Sequence, residues 1–373
     1  MKTKRRSPIQ TVRLRFDEDA DDLEAIRGEI STCDVHGRTL FLAHDESSAV
    51  ERLIRHGVDA DGQERSGGDA EGYADHERFP LADFIKLPED DGEMDIEGLA
   101  FDPPWLWVTG SMSLKRKKAD KDDDQKSIKK LAGFKVDRNR FTLAKIPCEQ
   151  TEDGVYTPVE SLEWDGRTMT PHYLEGGPES TVLTELLTHD EHLGPYLDLP
   201  CKENGFDVEG IAVLGERLFL GLRGPVLRGY AVILELHLTE LDGRLRFANR
   251  DDHSPPYRKH FLDLAGMGIR ELRIDNDSGD LFILAGPTMD LDGTIALWRI
   301  RGGLGDDGDT SDREPERLFD VVRTDDLEHG HDKAEGFATL TDGRCLIAYD
   351  SPVDDRLVDD NAVLVDMFSL KTA

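Results

Sequence analysis

Five segments of this chain repeat one strand-turn-strand pattern, and a repeat of that kind at nearly constant spacing leaves few folds open. They are STCDVHGRTLFLAHDES from Ser31, EGLAFDPPWLWVTGSMS from Glu97, EGIAVLGERLFLGLRGP from Glu209, RELRIDNDSGDLFILAGPT from Arg270 and EGFATLTDGRCLIAYDSP from Glu335. Each joins two short apolar strands through a turn rich in Gly, Asp or Pro. Their starts are 66, 112, 61 and 65 residues apart, so one interval holds an insertion and the other three agree. Further strands follow inside the units: LAGFKV and RFTLAKI in the second, YAVILELHL in the third, GTIALWRI in the fourth. A four-stranded unit cannot bury both faces alone and must stack on its neighbours. The expected fold is therefore all-β, a single β-propeller of five four-stranded blades, or six if the long interval hides a degenerate one.

A propeller must close, because an open ring exposes strand edges. Residues 11–16, TVRLRF, alternate Val12, Leu14 and Phe16 on one face, and NAVLVDMFSL lies near the carboxyl end. Pairing of the two would close one domain spanning residues 1–373, with an insertion at about 146–200. Within it, ESTVLTELLTHDEHL sets Val182 or Leu183, Leu186 and Leu193 at helical spacing before Gly194 and Pro195. The spacing predicts a helix around 180–193. The stretches from Lys115 to Lys130 and from Arg301 to Glu316 read as mixed-charge loops.

Composition narrows the partners. At 38% hydrophobic residues the chain has material for an extensive core, while 78 acidic against 46 basic residues give a net charge of −32. Such a surface is strongly hydrated, suits high salt, and repels phosphate backbones and anionic lipid, which argues against nucleic acid and membrane as partners. The basic start MKTKRRSPIQ runs into a polar stretch, and no segment nears the ~20 apolar residues of a membrane span. A cytoplasmic location is expected. Cys33, Cys148, Cys201 and Cys345 lie far apart without a CxxC pair, so reduced, partly buried thiols are expected rather than disulfides or a zinc site.

Matching positions in a propeller converge on its axis, so the repeat also nominates a site. One ring, at the start of the innermost strands, is Ser31, Glu97, Glu209, Arg270 and Glu335. A second, ending the following strands, is Asp45, Ser111, Arg223, Gly286 and Asp350. Alternation adds Glu93, Asp95, Asp207, His331 and Lys333 to the same surface. Crowded carboxylates need a cation, and Asp45, Glu97, Glu209, Glu335 and Asp350 are the expected ligands of Ca²⁺ or Mg²⁺. The plain alternative is that these acids pair with Arg223, Arg228, Arg270 or Lys333 and lock the units together. A basic set, Ser111, Ser113, Lys115 and Arg116 in GSMSLKRKK and Arg223 and Arg228 in GLRGPVLRG, joined by Arg270 and Lys333, suits a small anion. His329 and His331 form an HxH pair with no third ligand at diagnostic spacing. No G-x-S-x-G elbow, phosphate loop or dinucleotide fingerprint occurs.

The segments DIEGLAFDPPWLWVTGSMS, KENGFDVEGIAVLGERLFLGLRGPVLRGYAVILEL and KAEGFATL resemble the bacterial family known as domain of unknown function 3616, from about Glu29 to the carboxyl end. That resemblance implies a propeller-like fold. The repeated E-G-hydrophobic-A pattern is more distantly similar to the phytase-like esterase propellers, which implies calcium and phosphoester hydrolysis by analogy. Gluconolactonase-type propellers hold their metal with Glu, Asp and two Asn, and the two rings here lack Asn. The expected activities are binding of a small anionic ligand or a divalent cation in the funnel, Ca/Mg-dependent phosphoester hydrolysis, or a protein-interaction platform on the rim loops.

Overall fold

Each repeat folds as an antiparallel hairpin across its turn. Ile30–His36 pairs with Thr39–His44, Ile96–Asp102 with Trp105–Gly110, and Asp207–Leu214 with Arg217–Gly224. Gly268–Ile274 pairs likewise with Leu281–Gly286, and Lys333–Thr339 with Arg344–Asp350. These contacts come from a computed structural model that describes residues 6–59, 62, 72–90, 92–119, 123–177, 179–248, 256–289, 291–305, 314–322 and 332–371.

Two more strands extend every hairpin. In the first unit they are Ala49–His56 and Gly72–Pro80, in the second Leu143–Gln150 and His172–Leu174, in the third Tyr230–Leu241 and Tyr257–Asp263. The fourth unit adds Ile295–Ile300 and Glu316–Val322. In the fifth, Ala362–Ser369 is followed by Gln10–Arg15 from the amino end, with Val12 opposite Val365 and Leu14 opposite Val363. Val12, Leu14 and Phe16 are all buried there. The first strands pack side by side in chain order, and Lys333–Thr339 returns to Ile30–His36. The chain is all-β with a propeller-like arrangement; among the described residues α-helix is confined to Leu23–Gly28, Asp124–Leu131 and Val182–Leu187.

The core lies between units. Strands such as TLFLAH and LFILAG are buried on both faces, which is why they read as continuous apolar runs rather than alternating ones. Phe41, Phe101 and Tyr156 pack between the first two units, and Phe282 meets Phe337 between the last two. The glycine of the repeated E-G pair permits this approach: a Cβ on Gly98 would stand 2.8 Å from Ile211 of the next unit, and one on Gly210 3.0 Å from Leu272.

Several sequence expectations change. The inserted helix is only Val182–Leu187, capped by Thr181; Leu183 and Leu187 form its buried face while Leu186 is exposed. It stops early because the Asp190 carboxylate accepts the amides of His192 and Leu193, and Leu193 is buried from that turn rather than from the helix. The stretch expected as a loop from Lys115 carries the helix Asp124–Leu131, N-capped by Asp123, and the two-residue strand Lys115–Arg116. LAGFKV supplies only Phe134–Lys135, paired with Lys115–Arg116. Of Arg301 to Glu316, residues 306–313 lie outside the described residues, as do His329 and His331. All four cysteines are free and buried. No helix among the described residues is long and apolar enough to cross a membrane.

Candidate functional site

A register shift opens every innermost strand. It falls between Ile30 and Thr32, Ile96 and Gly98, Val208 and Gly210, Ile269 and Glu271, and Ala334 and Phe337. The residue without a partner opposite is therefore Ser31, Glu97, Glu209 or Arg270 in the first four units, and Glu335 stands within the irregularity of the fifth. An extra residue in a strand bends it and re-aims its side chain. In the second to fifth units that residue, Glu97, Glu209, Arg270 or Glu335, lines one cavity.

The result is a cavity of about 670 Å³. Asp45, Asp95, Glu97, Asp207, Glu209, Glu335 and Asp350 line it together with Arg140, Arg223, Arg270, Lys115, Arg116 and Lys333. Charge is distributed unevenly around it. In the third to fifth units acids meet cations: Arg223 donates to Glu209 at 2.6 Å, Arg270 donates to Glu335, and Lys333 lies 3.5 Å from Asp350. Asp350 also accepts from the Ser351 hydroxyl at 2.8 Å. Gly286 gives Arg270 its room, since a Cβ there would lie 2.8 Å from the Arg270 Nε.

In the first two units three carboxyls crowd together. One oxygen each from Asp45, Asp95 and Glu97 lies within 4.8 Å of the other two, and Arg140 is the guanidinium bonded there, to Asp95. Oxygens sharing one Ca²⁺ at about 2.4 Å are at most about 4.8 Å apart, so the trio has the span of a hard-cation site. Burial, then repulsion from Asp95, Glu335 and Asp350, pushes the Asp45 carboxyl well above the usual range. Burial and the charges of Asp95, Glu209 and Asp45 do the same to Glu97. Asp95 stays below the ordinary range: burial is the largest influence and raises it, but the Arg140 and Lys115 charges and the hydrogen bonds from Glu97 and Arg140 together outweigh burial. Asp207, buried at 2% exposure, lines the same cavity, and its Oδ1 has no hydrogen-bond partner among the described residues.

Burial also lifts Asp207 to about 7, with Glu209 adding to it and Arg223 and Arg140 opposing, and lifts Glu335 to about 7 against the pull of Arg270. A carboxyl raised in the folded chain is protonated there while the unfolded chain is already ionised. Its stabilising share is whole below about pH 4 and is lost as pH rises through about 7. Without divalent ions, urea denaturation should show the wild type losing stability relative to Asp207→Asn between pH 5 and 8, on the order of 1 kcal/mol per pH unit at most. Parallel pH profiles for the two proteins would contradict the raised value.

Below the ring the axis is filled. The positions after it in the second, third and fifth units are small, Gly98 and Ala100, Gly210 and Ala212, Gly336 and Ala338, whereas the first unit has Thr32 and Asp34 and the fourth Glu271 and Arg273. Thr32 donates to Glu271 at 2.5 Å, and Arg273 grips Glu271 at 2.8 and 3.1 Å. Arg273 also donates to the carbonyls of Ile211 and Cys33 and stands 3.3 Å from Asp34. Thr32 and Asp34 in turn accept the amides of Leu99 and Phe101. This buried network ties four of the innermost strands together.

The sequence-nominated residues thus divide. Asp45, Glu97, Glu209, Glu335, Asp350, Arg223, Arg270, Lys333, Lys115 and Arg116 all line the cavity. Glu209, Glu335 and Asp350 are occupied by Arg223, Arg270 and Lys333, so the metal-sized cluster is Asp45 and Glu97 with Asp95 instead. Lys115 sits 3.3 Å from Glu46, and Arg116 pairs with Glu203 at 2.8 Å. Ser31, Ser111 and Ser113 are buried off the cavity: Ser31 donates to the Ile96 carbonyl, and Ser113 to Ser111. Arg228 is exposed in the Leu227–Tyr230 turn and does not line the cavity. Arg140 carried no repeat signal, whereas Thr32, Asp34, Glu271 and Arg273 were visible as departures from the G-x-A pattern.

Residues 29–366 match the family described as "Protein of unknown function (DUF3616)", and the chain belongs to that family. No curated protein matches the sequence. Among solved structures it is similar to YjhT, at 11% identity, covering 91% of this chain and 94% of that one with a TM-score of 0.38. It is similar also to the PQQ-bound aldose sugar dehydrogenase of Streptomyces coelicolor, at 10% identity, 97% and 100% coverage and a TM-score of 0.33. Hydrazine synthase of Kuenenia stuttgartiensis matches at 10% identity over 93% of this chain with a TM-score of 0.32, and the chain spans 64% of its length.

Proposed function

We propose that this DUF3616 protein is a single five-bladed propeller, closed by the strand Gln10–Arg15, whose funnel holds one divalent cation on Asp45, Asp95 and Glu97 and, through it, a small anion. The cluster of three carboxyl oxygens within 4.8 Å carries this reading. Acids that close repel one another, and here protons offset that repulsion at the cost of raised Asp45 and Glu97. A Ca²⁺ or Mg²⁺ ion replaces those protons. The unpartnered Asp207 Oδ1 adds a further acceptor lining the same cavity. Lys115, Arg116 and Lys333 supply positive charge to the ligand's outer oxygens, in a chain whose overall sign repels anions.

Thermal melts test it. With Ca²⁺ or Mg²⁺ at about 100 times Kd the midpoint should rise by the equivalent of about 2.7 kcal/mol, and a chelator should reverse the rise. Because the ion displaces protons, affinity should increase from pH 6 to pH 8. A melting temperature indifferent to both ions and chelator at pH 8 would reject the reading.

A second reading, hydrolysis of the bound phosphoester, is favoured by Asp207 and Glu335, whose values of about 7 suit proton exchange near neutrality. Calcium-dependent release of nitrophenol from p-nitrophenyl phosphate, reduced in Asp207→Asn, is the expected signature. The four free, buried thiols support placing the protein in a reducing compartment, the cytoplasm.

A further inference from the structure

The mouth of the funnel is not uniformly ionic. Described residues of two connections reach it: the one between Trp105–Gly110 and Leu143–Gln150 of the second unit, and the shorter one between Leu281–Gly286 and Ile295–Ile300 of the fourth. The first brings Lys115, Arg116 and Leu131 to the cavity; the second brings Pro287, Met289 and Leu291. Leu131 is 45% exposed, Met289 45% and Leu291 63%. A single exposed Leu needs no explanation, but three large apolar side chains converging on one charged cavity do. They share that cavity with its ionic residues, and Pro200 and Ile295 continue the apolar lining.

We infer that the anion this site takes is amphiphilic, an organic phosphate or phosphonate bearing an apolar group. The inference rests on the cation-and-anion reading above. The headgroup meets the Asp45, Asp95 and Glu97 ion and the cations Lys115, Arg116 and Lys333. A tetrahedral dianion with three terminal oxygens can satisfy an ion and several cations at once, which a single carboxylate cannot. The apolar group lies outward, between Leu131 of one connection and Met289 and Leu291 of the other, and its burial supplies affinity that the headgroup alone lacks.

Phenylphosphonate and methylphosphonate test this, because they share a headgroup, resist hydrolysis and differ in the apolar group. By calorimetry on the full chain with saturating Ca²⁺, phenylphosphonate should bind at least about tenfold more tightly. The double variant Met289→Ser, Leu291→Ser alters exposed side chains only, and it should reduce that preference to within about twofold while leaving methylphosphonate affinity in place. Equal affinity of the two probes in the wild type, or a preference that survives in the double variant, overturns the inference and leaves the cation site standing. Failure of both phosphonates to bind with Ca²⁺ present overturns the inference and the anion-binding reading together.

Discussion

Replacing Arg273 with Met should lower the free energy of unfolding by about 3–5 kcal/mol, the largest loss expected from any single substitution away from the funnel. Arg273 is 4% exposed and Glu271 fully buried, so removing the guanidinium strands a carboxyl with no water and no counter-charge. The same change releases the carbonyls of Cys33 and Ile211, which belong to two other innermost strands. Met fills most of the volume, which separates lost charge from lost packing. Adding Glu271→Gln should return part of the stability, because an amide at that buried position needs neither a counter-charge nor a proton. A denaturation midpoint unchanged in Arg273→Met would mean that the axial network contributes nothing to holding the units together.

The double variant Asp45→Asn, Glu97→Gln should lose divalent-ion affinity by at least about 100-fold, since even partners one shell removed from a metal commonly cost 10–100-fold. Its second effect has the opposite sign. Asp45 and Glu97 are driven toward their protonated forms by burial and by one another's neighbours, and amides mimic those forms without repulsion. The ion-free variant should therefore be more stable than the ion-free wild type at pH 8, and less stable than the wild type once Ca²⁺ is added. A structural cluster with no ion would leave the variant the more stable protein at pH 8 with Ca²⁺ as well as without it. Arg140 gives a further contrast: it bonds Asp95 and holds that carboxylate charged, so Arg140→Gln should weaken the ion less than loss of a direct ligand does.

How much of this was legible beforehand differs by element. Glu97, Glu209, Arg270 and Glu335 are readable because one extra residue recurs at the same place in each hairpin, and the spacing of the repeat preserves that phase. Their pairing is not readable. Whether Glu335 meets Arg270 or an ion depends on which unit lies next in space, and on the absence of a side chain at Gly286. Arg140 comes from the turn before Leu143–Gln150, where nothing repeats, so no periodic argument reaches it. The helix expected to Leu193 was overextended because apolar spacing continues past Leu187, while the Asp190 side chain satisfies the next amides and ends the helix. Helix Asp124–Leu131 was hidden for the opposite reason: none of its residues is buried, and Ile128 and Leu131 are too few among its charges to mark a period, so only the cap at Asp123 betrays it.

Anomalous diffraction from crystals equilibrated with Mn²⁺, an oxygen-seeking stand-in for Ca²⁺ and Mg²⁺, addresses the funnel most directly. The account predicts a difference peak bonded at about 2.0–2.6 Å by oxygens of Asp45, Asp95 and Glu97. No peak there at saturating Mn²⁺, with the three carboxyls sharing protons and bonded to one another, would contradict it.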